Sequence, residues 1–121
     1  MGCRACLVTK YVCEYGDSQS FNWLAEELHD MLCDIGVDVY TSGQDGDYYG
    51  HWHVNLDDES EKRLKGYVAK LGMLPPDEVN EYFKENPDND WVTNDYVKSV
   101  FEEWIQWSDE TGKSVVRIHW L

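Results

Sequence analysis

Apolar and polar residues alternate through RACLVTKYVCEY (4–15), which is rich in Val, Tyr and Thr and predicts a strand. Gly16-Asp17-Ser18 punctuates it. In FNWLAEELHDMLCDIG (21–36) the period lengthens. Phe21, Leu24, Leu28, Met31, Leu32 and Ile35 fall on one helical stripe, Ser18 or Ser20 can cap its start, and Gly36 suits the residue after its end. VDVYTS (Val37–Ser42) predicts a short strand. After the turn cluster GQDGD, YYGHWHVNL returns as a second strand, giving a hairpin with a longer loop. Asp57 or Asp58 caps the next helix, and Asp58-x-x-Glu61 fits a capping box. That helix runs to about Leu71 and ends at Gly72. Pro75-Pro76 breaks the chain, and Pro76 suits the first position of a short helix, DEVNEYFKE. Asn86-Pro87-Asp88 breaks it again. From Thr93 a last helix shows Tyr96, Val97, Val100, Phe101, Trp104, Ile105 and Trp107. These cover more than one face, so the helix is expected to be sandwiched or to bind a partner. Gly112 stops it, and SVVRIHWL (114–121) predicts a final strand.

The predicted order is β-α-β-β-α-α-α-β. It points to an α+β fold, an antiparallel sheet with helices on one face, in a ferredoxin-like variant with inserted helices. At 121 residues the chain is expected to form a single domain spanning 1–121, with a core that needs no metal or disulfide staple. A hydrophobic content of 42% with 14% aromatic residues excludes global disorder.

Charge changes the picture. Ten Lys and Arg stand against 24 Asp and Glu, a formal net charge of −14. Between Tyr11 and Glu61 there is no Lys or Arg, while 13 carboxylates fall in that window. A second acidic stretch, Asp77–Asp95, is relieved only by Lys84. Such a surface repels nucleic acid and disfavours anionic membranes. It suits a basic protein partner, because opposite potentials steer encounter. No apolar run resembles a signal peptide or a membrane span, so a cytoplasmic chain with reduced thiols is expected. The opening Met-Gly-Cys lacks the Ser or Thr and the polybasic segment that a lipid anchor wants.

The cysteines and histidines offer candidate chemistry. Cys3-x-x-Cys6 alone is a weak signal, but His29 and Cys33 form a second pair at i and i+4 on one helical face. The spacing C-x2-C-x22-H-x3-C is that of a tetrahedral structural zinc site at Cys3, Cys6, His29 and Cys33. A strand of about ten residues spans about 33 Å. A helix of about eighteen spans about 27 Å, so a returning helix would bring both pairs to one end. A rival set is His51-x-His53, whose imidazoles share a strand face, joined by His119 or Cys13, or by Cys3 and Cys6. The thiols can also be plain core residues. A redox role is disfavoured, because Cys3-x-x-Cys6 precedes a strand and has no helix N-terminus to lower a thiol pKa. No phosphate loop, dinucleotide fingerprint or nucleophile elbow occurs. Asp45-x-Asp47 near Gly50 lacks the spacing of a calcium loop. No nucleophile, base and orienting group can be picked out, so the chain is expected not to be an enzyme. The alternative is a small metalloenzyme using a His51/His53 metal site.

In its length, its −14 charge, its acidic windows Glu14–Glu61 and Asp77–Asp95, and its candidate exposed aromatics Tyr48, Tyr49, Trp91, Trp104 and Trp107, the chain resembles the small acidic inhibitors that phages direct against host defence nucleases, among them the anti-CRISPR proteins. The resemblance is one of class and carries no motif. It implies a protein–protein inhibitor acting in the host cytoplasm, with carboxylates standing in for phosphates as a DNA mimic. The implied partner is a basic surface, such as that of a CRISPR effector nuclease, and not nucleic acid itself.

Overall fold

Period-two alternation becomes a one-sided sheet. In HWHVN, Trp52 and Val54 are fully buried while His51 and His53 are exposed, and Val116 and Ile118 repeat the alternation near the C-terminus. The computed structural model describes the backbone of residues 5–10, 14–19, 25–41, 51–84 and 90–120, and the side chains of those between 25 and 118. Its elements are β1 (Ala5–Lys10), β2 (Glu14–Gln19), α1 (Ala25–Ile35), β3 (Asp38–Thr41), β4 (His51–Asn55), α2 (Asp58–Gly72), α3 (Asn94–Thr111) and β5 (Val115–Trp120). The strands form one sheet in the order β2-β1-β5-β4-β3, with every neighbour antiparallel. Helix α1 packs against β3, α3 against β5, and α2 lies against both helices. The α+β class and the antiparallel sheet backed by helices are therefore as the pattern predicts.

Three features differ from expectation. The first predicted strand is two strands, β1 and β2, which reverse between Lys10 and Glu14. This alters the ferredoxin-like order, in which the first strand would sit directly beside β4. Here β2 takes the outer side of β1, and β5 takes the inner side between β1 and β4. Second, Ser18 is paired with Cys6 in β2, so it does not cap α1; Ser20, Phe21 and Leu24 lie outside the described residues. Third, DEVNEYFKE is not a helix. Its described part runs through turns, and Val79 bridges to Thr93.

The reason is a buried polar hub. Asn80 is fully buried, and its side chain donates to Tyr67 Oη (3.1 Å) and Asn94 Oδ1 (3.3 Å) while accepting from the Tyr82 amide (3.1 Å). Its backbone amide donates to the Val92 carbonyl at 2.9 Å, and Asn94 Nδ2 donates to the Pro75 carbonyl at 3.0 Å. These bonds to distant residues replace the local ladder that a helix would have supplied.

The three helices each bury one stripe. In α1 it is Ala25, Leu28, Met31 and Leu32; in α2 it is Leu64, Tyr67 and Leu71; in α3 it is Val97, Val100, Phe101, Trp104 and Ser108. The caps are sound. Asp57 accepts from the Ser60 amide at the start of α2, and Thr93 accepts from the Tyr96 amide at the start of α3. Gly112 closes α3 at φ 70°, a left-handed conformation that glycine adopts without strain.

Candidate functional site

The strongest local chemistry is electrostatic, and it sits on α1. This helix carries Glu26, Glu27, Asp30 and Asp34 and no Lys or Arg. Glu26, Asp30 and Asp34 recur every four residues, so they form one exposed stripe with steps of about 6 Å. Among the described residues none of the four forms an ion pair with Lys or Arg. Helix α2 is built the other way. There Glu59 pairs with Arg63 at 3.1 Å and Glu61 with Lys65 at 2.7 Å.

The Asn80 hub sets the opposite wall. It anchors Glu81 and Tyr82 so that they line a groove with Glu26, Glu27 and Asp30. Glu81 reaches Lys70 at 3.7 Å across an exposed surface, a pair that contributes little in water. Glu27 Oε2 is buried and makes no hydrogen bond among the described residues. The Tyr82 phenol is pushed up to about 12, first by burial and then by its hydrogen bond and proximity to Asp34. It therefore stays a neutral donor at any physiological pH. Among the described residues that line it, the groove offers three α1 carboxylates with Glu81 and the Tyr82 phenol opposite, and Lys70 at the Glu81 edge, acceptor chemistry that suits Lys or Arg side chains.

On the sheet's other face, several described side chains of β3, β4 and β5 are exposed. Tyr40 is 66% exposed, and its ring lies 6.2 Å from that of His53. His51, His53 and Val115 are exposed beside it. Tyr40 escaped the sequence reading, although its place on a short strand beside polar residues was a signal for it. Of the aromatics expected at the surface, Trp104 is fully buried in the core, because it continues the stripe of Val97, Val100 and Phe101. Trp107 and Trp91 are half-buried, with Trp91 edge-on to Tyr96 at 5.6 Å. Tyr48 and Tyr49 lie outside the described residues.

The structure divides the expected zinc ligands. His29 and Cys33 do meet on α1, with Nδ1 and Sγ 3.7 Å apart. His29 packs edge-on to Trp52, ring centroids 5.9 Å apart, on the helix side of the sheet. Position 6, however, pairs with 119, and 119 pairs with 51, which is out of phase with Trp52. The register therefore places position 6 on the sheet face opposite to His29. The estimate of converging ends did not contain β2, which brings the backbone back beside position 6 before α1 begins. Partial burial and the charges of Asp30 and Asp34 also push the Cys33 thiol up, away from the thiolate a metal wants. Cys3 and Cys13 lie outside the described residues. Among those described, no group of three or more His, Cys, Asp or Glu is arranged to hold a metal ion, and no helix is long and apolar enough to cross a membrane.

No family model, no curated protein and no solved structure matches the chain.

Proposed function

We propose that this chain is a small acidic protein-binding inhibitor that occupies a basic surface of a nucleic-acid-handling protein, with a CRISPR effector nuclease as the reference partner. The observation that carries this reading is the carboxylate stripe of α1, which among the described residues forms no ion pair with Lys or Arg, facing Glu81 and Tyr82 across a groove. A helix that needed these acids for its own stability would pair them with bases four residues away, as α2 does. Aligned carboxylates instead offer Lys and Arg of a nucleic-acid channel the charge that phosphates would present. Because exposed charges carry the contact, association is fast and salt-sensitive.

The test is a DNA-cleavage assay with purified, guide-loaded CRISPR effector nucleases and an excess of the chain, at about 50 and about 200 mM salt, a range over which phosphate-type contacts weaken strongly. Inhibition should fall as salt rises, and Glu26→Gln/Asp30→Asn should relieve it while the protein remains folded. Inhibition that is equal at both salt concentrations, or that survives the double substitution, would remove the acidic groove from the mechanism. If no effector is inhibited, the reference partner is wrong.

A further inference from the structure

Helix α1 carries two softer donors beside its acids. His29 and Cys33 stand four residues apart, so they share one face, about 6 Å apart along the axis. Their donor atoms converge, with His29 Nδ1 and Cys33 Sγ 3.7 Å apart. The imidazole is half-buried and lies edge-on to Trp52, ring centroids 5.9 Å apart, while Cys33 is exposed. One donor is therefore held against the core and the other faces solvent.

We propose that His29 Nδ1 and Cys33 Sγ form a two-donor clip for a borderline-soft divalent cation such as zinc, with water completing its shell. The separation of the donors carries the assignment. Zinc takes imidazole nitrogen at about 2.0–2.1 Å and thiolate at about 2.3 Å, so at a tetrahedral angle the two donors sit about 3.6 Å apart. The observed 3.7 Å matches that bite. An imidazole with a thiolate selects zinc-like ions over magnesium or calcium, which want oxygen. The surroundings favour a cation too. Cys33 stands in the last turn of α1, which holds no basic residue, close to the negative end of the helix dipole. Asp30 and Asp34 act on the thiol through their charges, and the same charges attract the ion. On binding, the S–H bond breaks, the sulfur electron pair goes to the metal and the proton leaves to solvent. The clip shares α1 with the acidic stripe but rests on the donor pair alone, so it stands whether or not the inhibitor reading does.

Cobalt(II), titrated into the reduced full-length chain under anaerobic conditions, is the probe. The expected result is one equivalent bound, with thiolate-to-cobalt charge-transfer absorption in the near ultraviolet. Zinc should displace it. Cys33→Ala, an exposed change that leaves the fold intact, should abolish the charge-transfer band. His29→Gln, with its fold checked by far-ultraviolet circular dichroism, should weaken binding by at least about tenfold, the smaller end of what even an outer-shell partner is worth. Cys6→Ser should leave the spectrum unchanged. The proposal is overturned if the parent binds no cobalt at a roughly tenfold molar excess, a range chosen to reveal exposed sites that keep open positions. It is equally overturned if the band survives Cys33→Ala, or if folded His29→Gln binds like the parent. Loss of the band in Cys6→Ser would overturn it as well, because a wider set would then hold the ion.

Discussion

Replacing Asn80 by Ala should unfold the segment that forms one wall of the acidic groove, and the loss can be worked from the bonds it makes. Three side-chain hydrogen bonds vanish, to Tyr67 at 3.1 Å, to Asn94 at 3.3 Å and from the Tyr82 amide at 3.1 Å. A net contribution of about 1 kcal/mol per bond sets the scale. Two of the abandoned partners, the Tyr67 hydroxyl and the Asn94 amide, belong to buried residues and regain water poorly, which raises the cost. The Tyr82 amide is only part-buried and can turn to solvent. The expected destabilisation is therefore about 2–4 kcal/mol. At about 4 °C per kcal/mol for a domain of this size, Tm should fall by roughly 8–16 °C. Urea denaturation followed by far-ultraviolet circular dichroism measures it, with the midpoint shifting and the slope held. A loss below about 1 kcal/mol would refute the hub. It would mean that Val79–Lys84 is held by Phe83 and Tyr82 packing alone.

Two other outcomes follow from the same geometry. Trp104→Ala should cost about 3–5 kcal/mol in the same urea assay, because the ring is fully buried and packs on Phe101; a cost under about 1 kcal/mol would make it the surface anchor that its sequence context suggests. Tyr82 is pushed up to about 12, so its folded-state pKa lies above the ordinary value of 10.0. The neutral phenol is then the favoured folded form, and its contribution is fully present below pH about 10 and lost as pH rises toward about 12. Tyr82→Phe should flatten the alkaline fall in stability across that window, and an unchanged profile would assign the fall to Tyr67 or other groups.

Helical periodicity was readable because it is local. The stripes of α1 and α3, the start of α3 at Thr93 and the Gly112 stop depend on residues within a few positions of one another. Asp57 caps α2, one residue ahead of the Asp58-x-x-Glu61 box, because its carboxylate meets the Ser60 amide at 2.9 Å. The reversal between β1 and β2 was not readable, since Tyr11-Val12-Cys13 contains no Gly, Pro, Asn or Asp to signal a turn. The helical reading of DEVNEYFKE failed because Asn80 bonds to residues 13 and 14 positions away. The candidate site divides in the same way. The acid stripe of α1 and its His29–Cys33 pair follow from residue spacing alone, whereas the row of positions 6, 119 and 51, which parts position 6 from His29, exists only through strand pairing.

The acids of α1 are best explained by what they cost. Asp30 has Glu26 four residues before it and Asp34 four residues after it, and like charges at that separation each cost about 0.2–0.5 kcal/mol. Asp34 stands in the last turn, where the helix dipole already presents negative charge. Just past that end the Gly36 and Val37 amides donate to the Leu32 carbonyl, and the Arg63 guanidinium donates to the Gly36 carbonyl at 3.1 Å. Asp30→Asn removes both like-charge contacts and leaves the helix shape unchanged. It should therefore stabilise the protein by roughly 0.4–1 kcal/mol, raising Tm by about 2–4 °C. The same change should weaken inhibition of the basic partner. A gain in stability with a loss of binding is the mark of a residue kept for function. A fall in Tm on Asp30→Asn would reverse the conclusion: the carboxylate would then serve the fold, and the groove would lose its claim to be a binding site.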